Sequence, residues 1–117
     1  MRAGKQPQST YAVIIARTAG KDKANIMTVM VYAPGSPGEL REIDNTLAAC
    51  QEVVDGYIET MHLTDELLIV CNEEGRLRGL PENRRGIVGT FFVCGVNGEE
   101  FASLDAGQVF TLERLLP

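Results

Sequence analysis

Apolar residues along the chain fall into short runs broken by glycine, proline and charged groups, and the spacing within each run separates strands from helices. IMTVMVYAPG (Ile26 to Gly35) is rich in β-branched and apolar residues and stops at Pro34-Gly35, which predicts a strand ended by a turn. SPGELREI follows as a connection that regains extended character toward Ile43. DNTLAACQEVVDG predicts a helix over about residues 44–55. Ile43, Leu47, Cys50, Val54 and Tyr57 recur at spacings of three and four, so one stripe faces a core while Gln51, Glu52 and Asp55 lie away from it. Asp44 or Asn45 can cap the first amides, and Gly56 can end the helix in a left-handed conformation.

In the second half, YIETMHLT alternates as a strand, with Ile58, Thr60 and His62 on one side and Met61 and Leu63 on the other. A tight turn at Thr64 to Glu66 leads to LLIVCN, a continuous apolar run suited to a central strand covered on both faces. GIVGTFFVCGV is long enough for a strand of up to eleven residues, with Gly89 and Gly95 marking a bulge or a close backbone approach. Asn97-Gly98 is a hairpin signal of the type I′ kind, which returns the chain as FASL. In SLDAGQVFTLERLLP, Asp105 and Gln108 are spaced for a capping box at the start of a short C-terminal helix.

The resulting order is strand, helix, strand, strand, loop, strand, strand, helix. It predicts an α+β domain with a mainly antiparallel sheet of about four to five strands. One main helix (about 44–55) and a short C-terminal helix lie on one face. At 117 residues the chain has room for one ordinary domain, taken as 27–117. Residues 1–26 form an N-terminal extension, read as a short extra strand or a disordered segment. The apolar stretch YAVIIA is too short for a secretory core of about 7–15 residues.

Charge narrows the partners. Residues 1–26 carry five basic groups against one acid, whereas the remainder carries six against fifteen, for a net charge of −5. An acidic body repels the phosphate backbone and disfavours broad nucleic-acid binding, though one basic pocket can still hold a small anion. No apolar run approaches the roughly 18 residues of a membrane span. Cys50, Cys71 and Cys94 sit inside apolar patterns with no C-x-x-C pair, which is the habit of reduced core thiols in a cytoplasmic protein. His62 has no ligand-spaced partner, so neither zinc nor any other metal or cofactor is expected.

Catalysis finds little support. His62 lies in a strand pattern without an oriented nucleophile, and carboxylates at Glu73 and Glu74 beside Cys71 would raise its thiol pKa rather than activate it. Neither Gly-rich phosphate loop motif occurs. The stretch that draws notice is CNEEGRLRGLPENRRG, residues 71–86, with four arginines, three glutamates and two asparagines between apolar strands. Asn72 can form an Asx-turn with Gly75 at positive φ, and Arg76 and Arg78 would alternate with an inward Leu77. Three readings stand side by side. In one, asparagines satisfy backbone groups in an ordered connection. In another, guanidinium forks and amides form an anion or nucleotide pocket; in the third, the segment is a protein-contact surface.

REIDNTLAACQEVVDGYIE, VCNEEGRLRGLPENRR and IVGTFFVCGVNGE, in this order, resemble the domain-of-unknown-function family numbered 3846, small proteins common in phages, plasmids and Gram-positive genomes. The match runs from about Met27 to the C-terminus. Asn72, Glu73, Glu74, Gly75, Leu77, Gly79, Leu80, Pro81, Asn83 and Arg84 fit its NEEG…GLPxNR wording, and Ile43 to Leu47 its IDNTL segment. The extension at 1–26 and SLDAGQ, in place of a threonine-led acidic helix start, depart from it. The resemblance implies a small non-enzymatic accessory protein of a mobile element, binding a small anionic ligand or a host protein. Its candidate binding residues are Asn45, Asn72, Arg76, Arg78, Asn83, Arg84 and Arg85. Two rivals remain. One is an acidic interaction module using Glu42, Asp44, Glu52, Asp55 and Glu59; the other is a metal-dependent hydrolase at Glu73 and Glu74. An open sheet edge would also allow a homo-oligomer.

Overall fold

The computed structural model describes residues 25–117. The reading of residues 1–26 as a strand or extension falls, but for its last two positions, outside the described residues. Six strands form one antiparallel sheet: β1 (Ile26–Tyr32), β2 (Glu39–Asp44), β3 (Ile58–Thr64), β4 (Leu67–Asn72), β5 (Phe91–Asn97) and β6 (Glu100–Ala102). Helix α1 (Leu47–Val54) follows β2, and α2 (Ala106–Leu115) ends the fold. The spatial order is β2-β1-β5-β4-β3, with β6 paired to β5. The α+β class and its antiparallel sheet are therefore as expected.

Helix placement is not. Side chains alternate across each strand, so residues two apart share a face. Met27, Val29, Val31, Leu68, Val70, Phe92 and Cys94 pack with Leu47, Cys50 and Val54 of α1. The intervening Met30, Tyr32, Ile69, Cys71, Phe91 and Val93 pack with Leu104, Leu112 and Leu116, at and around α2. The helices cover opposite faces, correcting the expectation that both lie on one. The physical reason is β4 and β5, buried on every residue from Leu67 to Asn72 and from Phe91 to Gly95, which need cover on both sides. The C-terminal helix is short, as expected, at ten residues, beside eight for α1.

β2, read as a connection, is a full edge strand in register with β1 from Ile26↔Asp44 to Val31↔Glu39. Its residues are exposed or half-buried throughout, so no hydrophobic alternation betrays it. Charges along an edge strand discourage pairing with other chains. Helix α1 keeps its predicted stripe, but Thr46 caps it, its hydroxyl accepting from the Ala49 amide, in place of Asp44 or Asn45. The left-handed residue at its end is Asp55 (φ 62°) rather than Gly56. Gln51, expected outside the stripe, is buried.

At the β5–β6 hairpin Asn97 pairs with Glu100, so Gly98-Glu99 form the two-residue loop. Of these only Gly98 has positive φ, at 67°, the demand of a type II′ turn rather than the type I′ turn expected. Gly95 does mark a close backbone approach: a Cβ there would lie 2.9 Å from the Ser103 carbonyl oxygen. The predicted capping box closes α2, with Gln108 N donating to the Asp105 carboxylate and the Gln108 side-chain oxygen accepting from Asp105 N.

Candidate functional site

Between β4 and β5 the chain from Glu73 to Thr90 has no strand of its own beyond one bridge, Glu82↔Val88. It is nonetheless closely hydrogen-bonded. A turn of helix-like bonds (Arg78 N to Glu74 O, Gly79 N to Arg76 O, Leu80 N to Gly75 O) is followed by a small closed loop. In that loop Asn83 N donates to Ile87 O and Gly89 N to Pro81 O. Gly75 has no positive φ, contrary to expectation; its bare α-carbon instead makes room for Val88. Leu77 points outward and is 91% exposed, reversing its expected inward position.

The polar side chains of this segment divide into separate clusters. Asn72 is 5% exposed and reaches the end of α1. Its Nδ2 donates to Val54 O at 2.9 Å and Asp55 O at 3.2 Å, while its Oδ1 accepts from Glu74 N at 2.7 Å, the predicted Asx-turn. Arg78 joins it there, donating to the Asp55 carbonyl at 2.6 Å and pairing with the Asp55 carboxylate at 3.2 Å. The carbonyls at a helix C-terminus lack intrahelical partners and carry partial negative charge, so an amide and a guanidinium are suitable caps. Gly56 permits this: a Cβ there would sit 2.6 Å from Asn72 Nδ2 and 3.1 Å from Arg78 Nη1.

Asn83 and Arg84 form a second cluster at the far end of β1. Asn83 Nδ2 donates to Tyr32 O at 3.0 Å and Gly89 O at 2.9 Å, and its Oδ1 accepts from Arg84 N and Arg84 Nη1. The Arg84 guanidinium lies 4.8 Å from the Tyr32 ring centroid and donates to the carbonyls of Ser36 and Pro117. Burial pushes the Tyr32 hydroxyl pKa up; Arg84 opposes the shift and Glu113 adds to it.

Arg76 and Arg85 make the third cluster. Both line an open groove of about 340 Å³ with Glu59, Met61, Cys71, Glu73, Leu77, Gly86 and Val88, and Asn72 of the first cluster reaches its wall. Arg76 Nη2 donates to Gly86 O at 2.6 Å and so holds the turn that carries Arg85. Arg85 itself has φ 57° and ψ 30°, a left-handed conformation that costs an ordinary residue about 1–2 kcal/mol relative to glycine. Its side chain makes no hydrogen bond or ion pair among the described residues. Asn45 joins none of these clusters. It lies 93% buried at the start of α1, where Nδ2 donates to Phe101 O and Oδ1 has no partner among the described residues.

Sequence reasoning passed over Met61 and Tyr32 as site residues, and it grouped Glu59 and Asp55 with one acidic face. The structure divides that group: Asp55 pairs with Arg78 and Glu59 lines the arginine groove. Glu42, Asp44 and Glu52 line another open groove, of about 460 Å³, between β2 and α1. No sequence signal marks Met61 beyond its place on the outward phase of a strand. Among the described residues no three His, Cys, Asp or Glu side chains gather as a metal site.

All three cysteines are free and buried. Burial pushes the Cys50 thiol up to about 12 and the Cys71 thiol up to about 11, where Glu59 adds to the effect rather than the Glu73 and Glu74 expected from sequence. The Cys94 thiol is raised as well. An unfolded thiol ionises near 9, so the unfolded chain loses these protons first. Stability should hold below pH about 9 and then fall as pH rises through 11–12, by about 1.4 kcal/mol per unit for each thiol in that window. Denaturant titrations at pH 8 and pH 10 check this, and a thiol reagent at pH 8 should label the chain only after unfolding.

The fold and site together define a small α+β domain whose most polar loop is fastened by its own side chains over one end of the sheet. The chain belongs to the family described as Domain of unknown function (DUF3846), whose model matches residues 27–116. Comparison with curated proteins and with solved structures gave no match. No helix among the described residues is long and apolar enough to cross a membrane.

Proposed function

We propose that this chain is a small non-enzymatic binding protein whose site is the groove between β3 and the 75–88 segment, with Arg85 receiving one carboxylate or phosphate of a ligand that is otherwise largely apolar. One observation carries this reading. Of the four loop arginines, Arg78 and Arg84 are tied to backbone carbonyls and Arg76 to Gly86, whereas Arg85 is held in a left-handed conformation with its guanidinium unpaired, among the described residues, at the groove. Glycine would take that backbone conformation more cheaply, so a use for the side chain offsets the strain.

Glu59 and Glu73 on the same walls oppose the field of two arginines, which favours a ligand with a single anionic group over a polyphosphate. Met61, 42% exposed, and Leu77 offer apolar surface beside it. The family, whose members are common in phages and plasmids, supports a mobile-element setting with a host protein as partner, and the three free, buried thiols support the cytoplasm.

The test is a thermal-shift screen against carboxylate- and phosphate-bearing compounds and peptides, run on the wild type and Arg85→Gly. Arg85→Gly should raise the stability of the unliganded protein by about 1 kcal/mol, through relief of strain, and abolish the shifts caused by ligands that stabilise the wild type. Ligands that stabilise both proteins equally, or no ligand at all, would overturn the proposal.

The groove lined by Glu42, Asp44 and Glu52 supports the second reading, an acidic module for a basic partner. Reversing those three charges should then abolish partner capture while Arg85→Gly leaves it intact.

A further inference from the structure

β3 is the last strand of the sheet, and among the described residues no strand pairs with its outer side. The two rims differ in character. β2 carries Glu39, Arg41, Glu42 and Asp44, with Arg41 and Glu39 paired at 3.2 Å, a charged rim that resists strand addition. Between Glu59 and Leu63, β3 has only one carboxylate, and its one irregularity is a register shift between His62 and Thr64. Glu59 and Met61 point to the sheet face that bears the arginine groove, so the groove opens beside this rim.

We infer that the occupant of the groove is an extended segment of a partner protein, added as a further strand along Glu59–Leu63, with an apolar side chain against Met61 and Leu77 and an acidic side chain two residues away on Arg85. The inference rests on the groove reading above and specifies its ligand. Backbone pairing along the rim supplies affinity that is independent of sequence, and side chains of alternate residues supply recognition. The period of two follows from strand geometry: residues two apart lie on one face about 6.6 Å apart, so both determinants reach the groove while the residue between them faces away. Charge complementarity places an acidic residue of the occupant on Arg85, a cation with no partner among the described residues. A second copy of β3 carries Glu59 and Met61 at the same spacing, so a dimer of the free protein in sedimentation that Arg85→Gly dissolves would overturn the choice of a partner protein.

The experiment uses the full-length protein and a displayed library of random twelve-residue peptides, followed by synthesis of the enriched peptides with single backbone N-methyl groups. Enriched sequences should share an apolar and an acidic residue two apart. N-methylation at every second position should weaken binding roughly tenfold or more, because each such group removes a rim hydrogen bond, and the intervening positions should tolerate it. Arg85→Gly should weaken binding of the parent peptide by a comparable factor while leaving the N-methyl pattern unchanged. Peptides that depend on Arg85 but show no period-two sensitivity would overturn strand addition and leave the groove reading standing. Carboxylate compounds that bind through Arg85 in the absence of any enriched peptide would do the same. Enriched peptides indifferent to Arg85 would overturn both.

Discussion

Replacing Asn72 by alanine should unfold this protein more readily than any other single change in the loop, lowering stability by about 3 kcal/mol and the midpoint of thermal unfolding by about 15 °C. The amide is buried and makes three hydrogen bonds, two to the carbonyls at the end of α1 and one from the Glu74 amide. Alanine takes this partner from the Val54 carbonyl and the Glu74 amide, while Asp55 O keeps only Arg78. Asn72→Asp supplies a sharper test. Its carboxylate would face two carbonyl oxygens where the native amide donates, so the folded state favours the protonated acid. A carboxyl whose folded pKa is raised destabilises at neutral pH, and the deficit shrinks as pH falls toward the unfolded value of about 4. Chemical denaturation at pH 7 and pH 4.5 measures it. An Asp deficit that does not shrink between pH 7 and pH 4.5 would overturn this account.

The second large effect is expected at Asn83, where alanine should cost about 2–3 kcal/mol. This side chain ties the end of β1 to the start of β5, through Tyr32 O and Gly89 O, and orients Arg84 through its own oxygen. Its loss removes the bonds to Tyr32 O and Gly89 O and frees a guanidinium that otherwise rests on the Tyr32 ring. A double-mutant cycle between Asn83→Ala and Arg84→Ala should therefore be non-additive, the two changes together costing less than their sum, because each removes part of the same network. Strict additivity in denaturant titrations would show that the two side chains act independently.

These two asparagines mark where the sequence was legible and where it was not. The stripe Leu47, Cys50 and Val54, the doubly buried run from Leu67 to Asn72 and the Asp105–Gln108 box each rest on spacing within one segment. Such local patterns are set by the period of the element and survive into the fold. The Asx-turn of Asn72 is local in the same way. Its two bonds to α1 span 17 and 18 residues, and Asn83 reaches 51 residues back to Tyr32, so no local pattern announces them. β2 was missed for a related reason: an edge strand with only Ile43 half-buried against the core needs no apolar alternation. The face taken by α2 depends on the sheet already built, which a run of ten residues cannot encode alone. Arg85 was placed among the candidate residues by type. What distinguishes it from its three neighbours is a backbone angle and the partners those neighbours find.

The fastening of the 72–88 segment has a consequence for how a partner would be received. Connections without regular structure ordinarily open by local fluctuation, at far lower free energy than the whole domain. This one is anchored to the end of α1, to the end of β1 and to Pro117, so releasing it means breaking contacts in three distant parts of the chain at once. Its amides, such as those of Asn83 and Gly89, should exchange with solvent deuterium at rates close to those of β4 and β5. A surface held in that way has already lost its conformational freedom during folding, so little ordering entropy remains to oppose association. Its contacts would be rigid and selective, with affinity set by fit rather than by adaptation.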